Sequence, residues 1–213
     1  MSVPSNGSQN AEDEAVAACF PAGFTGNLLE IGAWFPKDFS NSRLLIERGW
    51  DATLVEFSPL AVERQLREYG YHDRVRVIQA AITPDEQHVQ RFQVTEDALS
   101  SSSDEQCEKW RNLRPDYHGG FYGYLWVPTI SLRRLLDQFY GDKRLHFVSI
   151  DVEGFSAVMA MELLKTDHRP KVICCEHDSR DVEIWQVAKK YGYVQIDKNA
   201  ENIILRNDSW GAL

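Results

Sequence analysis

Short apolar runs recur along this chain, separated by longer stretches in which apolar and polar positions follow a helical period. The runs at 27–32, 52–56, 145–150 and 171–175 are largely apolar, the pattern of strands covered on both faces in a parallel sheet, and 75–79 reads as a further strand. Helices are predicted between them. One begins at Ser40 or Asn41, turns Leu44 and Leu45 inward and ends at Gly49. A second follows the cap pair Ser58-Pro59 as far as Tyr69, with Leu60 and Leu66 as its anchors. Others are predicted over 129–140, 155–165 and 181–191. The segments 193–197 and 202–206 flank a polar turn and read as an antiparallel pair. The alternation predicts an α/β fold with a mostly parallel central sheet, helices on both faces and a C-terminal antiparallel hairpin.

Residues 1–14 are polar, acidic and poor in apolar side chains, so a flexible N-terminal tail is expected ahead of one domain at 15–213. The rhythm breaks around 95–126, where the serines at 100–103 and His118-Gly119-Gly120 mix with aromatic and charged residues. An insertion near the site is expected there, either a lid or a surface excursion. At 213 residues and 43% hydrophobic content the chain suits a single core. Its formal charge of -9 argues against nucleic acid as a partner, because phosphate backbones demand clustered Lys and Arg. Cys174 and Cys175 are neighbours on a predicted strand and so point to opposite faces. They and the other two cysteines are read as reduced thiols in a cytoplasmic setting. No run approaches the ~20 apolar residues of a membrane span, and no export signal is read at the N-terminus. The oligomeric state is left open.

Acids mark the strand ends. Glu30 and Glu56 close the first two runs, Asp151 and Glu153 follow 145–150, and Glu176, His177 and Asp178 follow 171–175. In open α/β sheets ligands bind outside the carboxyl ends of the strands, so these carboxylates are expected to face one crevice. A dinucleotide site needs G-x-G-x-x-G after its first strand, whereas Gly32 is followed by Ala33-Trp34-Phe35-Pro36-Lys37. An NAD-dependent oxidoreductase is disfavoured on that ground. Glu30 would repel a pyrophosphate but suits a cationic ligand with a free amino group, such as S-adenosylmethionine. Glu56 is placed to accept hydrogen bonds from ribose hydroxyls. The alternative for both acids is to cap helix N-termini around the sheet end.

These pieces, in their order, resemble the FkbM-type class I S-adenosylmethionine-dependent methyltransferases. The resemblance is carried by Leu29-Glu30-Ile31-Gly32-Ala33, Asp38-Phe39-Ser40, Val55-Glu56-Phe57-Ser58-Pro59, Gln79-Ala80-Ala81-Ile82, Val127-Pro128-Thr129-Ile130-Ser131-Leu132 and Ser149-Ile150-Asp151-Val152-Glu153-Gly154. It implies a Rossmann-like fold, with cofactor contacts at Glu30, Gly32, Glu56, Ala80 and Ala81 and at the adjacent Ala33, Phe57 and Asp151. It also implies methyl transfer to a hydroxyl of a sugar, glycan or other small molecule. Asp151, Glu153 and His177 are the candidates for the base. Asp151 with Glu176 and His177 or Asp178 is similar to the metal set of catechol-type O-methyltransferases, which would hold Mg²⁺. Trp34, Phe35 and Pro36 depart from the resemblance, standing where such proteins carry Asn and a second Gly. Trp34, Phe35, Tyr122, Tyr124 and Trp126 are candidates for an aromatic wall against a sugar or adenine, or for plain core packing. The rival reading is a catalytically silent module that binds a glycan or protein.

Overall fold

The computed structural model of the chain describes residues 7–95, 99–113 and 123–211. In chain order its strands are β1 (Asn27–Ile31), β2 (Asp51–Glu56), β3 (Val75–Gln79), β4 (Ala81–Thr83), β5 (Val89–Val94), β6 (Gly123–Ser131), β7 (Phe147–Ile150), β8 (Val172–Glu176), β9 (Tyr193–Lys198) and β10 (Asn202–Asn207). Its helices are α1 (Glu12–Ala17), α2 (Arg43–Glu47), α3 (Pro59–Tyr69), α4 (Asp104–Leu113), α5 (Leu132–Phe139), α6 (Ser156–Lys165) and α7 (Asp181–Lys189).

Among the described residues the larger sheet has the order β3-β2-β1-β7-β8-β10-β9. β1 runs parallel to β2 and β7, and β10 runs antiparallel to β8 and β9. This is the α/β sheet with a reversed final hairpin that the apolar runs predict. Strand alternation divides the core into two layers. Leu29, Ile31, Val148 and Ile150 pack with α5, α6 and α7, while Leu28, Leu54, Phe147 and Cys174 pack with α1 and α2. The chain leaves β1 toward β2 and β3 on one side, then resumes on the other side at β7. A crevice therefore opens between the carboxyl ends of β1 and β7.

Several expectations are corrected. Helix α2 is shorter than expected, with Leu45 buried and Leu44 only half-buried. Helix α3 has the expected span but the opposite phase: Ala61, Val62, Gln65 and Tyr69 face inward, and Leu60 and Leu66 are about half exposed. At 100° per residue, positions 61, 62, 65 and 69 share a face from which 60 and 66 are turned away. The segment 129–131 is strand instead of helix. Pro128 lacks an N–H, Val127, Thr129 and Ile130 are β-branched, and Ser131 caps the helix that follows by accepting from the Arg134 N–H. β6 pairs with β5 and β4 to form a second sheet, which the sequence pattern does not disclose.

Residues 7–14, expected in the tail, are folded against the domain, and α1 begins within them; residues 1–6 lie outside the described residues. The Ser8 hydroxyl donates to Asp13 at 2.6 Å. Glu12, almost wholly buried, accepts from Asn199 at 2.7 Å and Asn202 at 2.9 Å. These polar residues are held by each other and not by apolar anchors, so composition gives no sign of their order.

Candidate functional site

A cavity of about 430 Å³ occupies the crevice. One half is built from β1, β2 and the β3–β4 junction, where Gly32, Trp34, Glu56, Phe57, Ala80 and Ala81 line it. The other half is built from the ends of β7, β8 and β10, where Asp151, Glu153, Glu176, Glu201 and Asn202 line it together with Gln9.

In the first half, Gly32 has φ +79° and passes so close to β7 that a Cβ would stand 1.7 Å from the Asp151 carbonyl oxygen. Only glycine combines that φ with that approach. Glu56 braces the two loops around it, its carboxylate accepting from the Trp34 N–H at 3.0 Å and the Ser58 N–H at 2.7 Å. Burial raises its pKa against those donors. Trp34 adopts φ +39°, so the loop makes at a bulky residue the left-handed step that glycine makes freely. Its ring stacks on Phe35 at 4.3 Å, and the Arg64 guanidinium covers Phe35 at 3.9 Å. Phe57 stacks on Phe92 at 4.4 Å, making an apolar wall of the cavity.

Glu30 is not part of the lining. It is 4% exposed and points into the α1–α2 layer, where Asn41 N–H donates to one oxygen and the Ser42 hydroxyl to the other. This is the helix-capping alternative, extended by a bond from Asn41 Nδ2 to Ser149 at 3.0 Å. Ala33 is likewise buried in that layer. Burial raises the Glu30 pKa to about 7, so the folded chain holds a proton there that the unfolded chain releases near pH 4.5. Between those values the native state binds more protons, and stability falls as pH rises, by about 1.4 kcal/mol per unit at the steepest. Glu30→Gln reproduces the protonated acid, with its amide donating to Ser42. It is expected to flatten that decline between pH 5 and 7 and to raise the urea midpoint at pH 7.5, as measured by unfolding across pH. An unchanged pH profile would contradict this reading of Glu30.

In the second half three carboxylates converge. Asp151, Glu153 and Glu176 offer oxygens that all lie within 4.8 Å of one another. Asp151 opens onto the cavity while protein encloses it on its other sides, and it is hydrogen-bonded to Glu176. Burial first, and then the charge of neighbouring acids, Glu153 and Asp178 on Asp151 and Asp151 and Glu153 on Glu176, raise both pKa values, so the pair retains a proton into the neutral range. Ser156 at the start of α6 accepts from the Val152 N–H at 2.8 Å and donates to Glu176 at 3.1 Å. The described part of the 95–126 insertion closes over Glu153. Ser101 donates to its carbonyl at 2.6 Å, and Gln106 of α4 donates to its carboxylate at 2.8 Å.

His177 and Asp178 do not join this cluster, although the Asp178 charge acts on Asp151 and Glu176. His177 Nδ1 accepts from the Ser179 N–H at 3.2 Å, which leaves the Nε2 proton of the neutral ring for the Asn199 carbonyl at 3.4 Å. Both ring nitrogens are engaged, and the residue does not line the cavity. Asp178 accepts from the Ala157 N–H at 3.0 Å and so caps α6. Positive φ at Asp178 and Ser179 produces this turn. Tyr124 and Trp126 are exposed on the second sheet, away from the cavity lining, and Tyr122 lies outside the described residues. Gln9, Ser156, Gln106, Glu201 and Asn202 were not anticipated. Ser156 alone carries a signal, a cap-type residue at a predicted helix start.

An open, mostly parallel sheet with a reversed final hairpin and an acidic cavity at its switch point is the class I methyltransferase arrangement. The chain belongs to the methyltransferase FkbM domain family, whose model matches residues 30–195. Among solved structures it is similar to methyltransferase FkbM from Methylobacillus flagellatus KT, at 12% identity and TM-score 0.48, covering 86% of this chain and 44% of that one. The chain thus spans less than half the length of that protein. M. capricolum TrmK in complex with S-adenosyl-homocysteine matches at 11% identity and TM-score 0.45, covering 92% of this chain and 67% of that one. The Methanococcus jannaschii fibrillarin pre-rRNA processing protein matches at 12% identity and TM-score 0.45, covering 93% and 76%. No curated protein matches the sequence. Among the described residues no helix is long and apolar enough to cross a membrane.

Proposed function

We propose that the protein is an S-adenosylmethionine-dependent O-methyltransferase acting on a hydroxyl of a sugar, glycan or other small molecule. The observation that carries this reading is the charge of the cavity. Its described lining includes Glu56, Asp151, Glu153, Glu176 and Glu201 and no Lys, Arg or His. A pyrophosphate cofactor would meet only repulsion there, whereas a nucleoside bearing a sulfonium and an ammonium is attracted. Gly32 lets the ends of β1 and β7 close on each other beside the cavity, Glu56 has lone pairs left for ribose hydroxyls, and Phe57 offers a flat apolar face for a base.

When bound, S-adenosylmethionine supplies the methyl group on its sulfonium. The role of the second half is to place an acceptor oxygen in line with that carbon and to remove its proton. Asp151, paired with Glu176, is the base: the ionised pair would accept the proton of an acceptor hydroxyl held beside it. A second reading rests on the convergence of Asp151, Glu153 and Glu176, a set of hard oxygen ligands of the kind Mg²⁺ accepts.

Calorimetric titration with S-adenosylhomocysteine, with Mg²⁺ or with EDTA, tests the assignment. Micromolar binding is expected in the wild type and at least a tenfold loss in Glu56→Ala. Loss of binding in EDTA would favour the metal reading. No binding under either condition would sink the methyltransferase assignment and favour a silent glycan- or protein-binding module.

A further inference from the structure

The loop that brings Trp34 to the cavity is held in a conformation its own residues disfavour. Trp34 sits at φ +39°, a region that glycine enters freely and asparagine more readily than other side chains. Such a step persists only where the surroundings over-determine it, and here helix α3 does so. Gln65 Nε2 donates to the Trp34 carbonyl at 2.6 Å, and the Arg64 guanidinium covers the Phe35 ring. The Tyr69 hydroxyl donates to the Pro36 carbonyl at 3.2 Å. Gln65 is the costly member of this set. It is 0% exposed on a face otherwise made of Ala61, Val62 and Tyr69, and its Oε1 is buried with no partner among the described residues. An apolar side chain of the same length would leave no acceptor unpaired at this position. The bond that Nε2 makes is what sets glutamine apart there.

We propose that Gln65 is a positioning residue for cofactor binding: it fixes the Trp34 peptide and, through that peptide, the carboxylate of Glu56. The proposal rests on the methyltransferase reading, in which Glu56 receives the ribose hydroxyls. Both backbone polar groups of Trp34 are engaged by side chains, the carbonyl by Gln65 and the N–H by Glu56 Oε2 at 3.0 Å. The second Glu56 oxygen, Oε1, accepts from the Ser58 N–H at 2.7 Å. The three bonds form one chain from the buried face of α3 to the cavity, which Trp34 and Glu56 line and Gln65 does not. With the Gln65 donor in place, the carboxylate is oriented before a ligand arrives, and the ligand need not order it on binding. Without that donor the Trp34 peptide relaxes toward the backbone region its side chain prefers, which turns its N–H away from Glu56.

The test titrates S-adenosylhomocysteine and its 2′,3′-dideoxy analogue into the full chain as wild type, Gln65→Met, Trp34→Asn and the double variant. Methionine keeps the length of glutamine and removes both its donor and its unpaired oxygen. Gln65→Met is expected to bind S-adenosylhomocysteine about tenfold more weakly than the wild type. The analogue has no ribose hydroxyls for Glu56 to receive, so its affinity is expected to fall by about twofold at most. In the Trp34→Asn background the change at position 65 is expected to cost less than about twofold, because asparagine takes the left-handed step without a clamp. Thermal midpoints recorded alongside report that each variant is folded, and Gln65→Leu replaces Gln65→Met, with the same expectations, if the latter does not fold. Wild-type affinity in Gln65→Met, an equal loss for both ligands, or a loss that persists in the Trp34→Asn background would each overturn the proposal. Failure of the wild type to bind S-adenosylhomocysteine would instead overturn the methyltransferase reading itself.

Discussion

Replacing Gly32 by alanine is expected to abolish cofactor binding and to lower the thermal midpoint by roughly 6–12 °C, corresponding to about 3 kcal/mol at 2–4 °C per kcal/mol for a domain of this size. The reason is local and severe. A methyl at this position would stand 1.7 Å from the Asp151 carbonyl oxygen, so β1 and β7 would have to separate at their ends. The residue would also be held at φ +79°, a conformation that costs a side chain about 1–2 kcal/mol. Both effects fall where the cavity needs its two halves in register, because the Gly32 N–H donates to Val55 and the Asp151 N–H to Ile31. Thermal unfolding followed with and without S-adenosylhomocysteine measures both. A variant as stable as the wild type, with the same ligand-induced stabilisation, would show that the two strand ends do not approach as described.

Asp151→Asn is expected to reduce kcat by roughly 10²–10⁴-fold, the usual contribution of a general base, with S-adenosylhomocysteine affinity changed only a few-fold. The pH profile carries the sharper test. In the wild type the base acts ionised and its pKa is raised, so kcat is expected to rise with pH through the neutral range. Removing the Asp151 charge also removes one cause of the raised Glu176 pKa, so residual activity in Asp151→Asn is expected to reach its plateau at lower pH. A variant with normal kcat, or with an unshifted profile, would remove Asp151 from the proton transfer.

The parts of the fold legible in the sequence are those governed by burial on both faces. β1, β2, β7 and β8 are covered above and below, so their sequences are continuous apolar runs whose ends fall within two residues of those expected. β4, β5 and β6 escape this rule. β4 has three residues, β5 has only one fully buried position, and β6 contains Pro128 and exposes Tyr124 and Trp126. Their pairing is a tertiary event with no periodic signature. The candidate site divides in the same way. A carboxylate at the end of a parallel strand is placed by topology, which is why Glu56, Asp151 and Glu176 could be read from spacing alone. Glu30 and His177 show the limit. A position near a strand end does not fix the side-chain direction, and one residue inside the strand is enough to turn Glu30 to the opposite layer. The cavity wall formed by Gln9 and Glu201 was out of reach, because the link between them spans 192 positions in the chain.

That span divides the site by origin. One half of the cavity is drawn largely from one continuous stretch, Gly32 to Ala81, at the ends of three adjacent parallel strands. The wall beyond Asp151 includes Gln9 and the turn before β10, segments outside those three strands. Substitutions in these outlying segments can therefore reshape that wall of the cavity while leaving the parallel strands of the other half as they are.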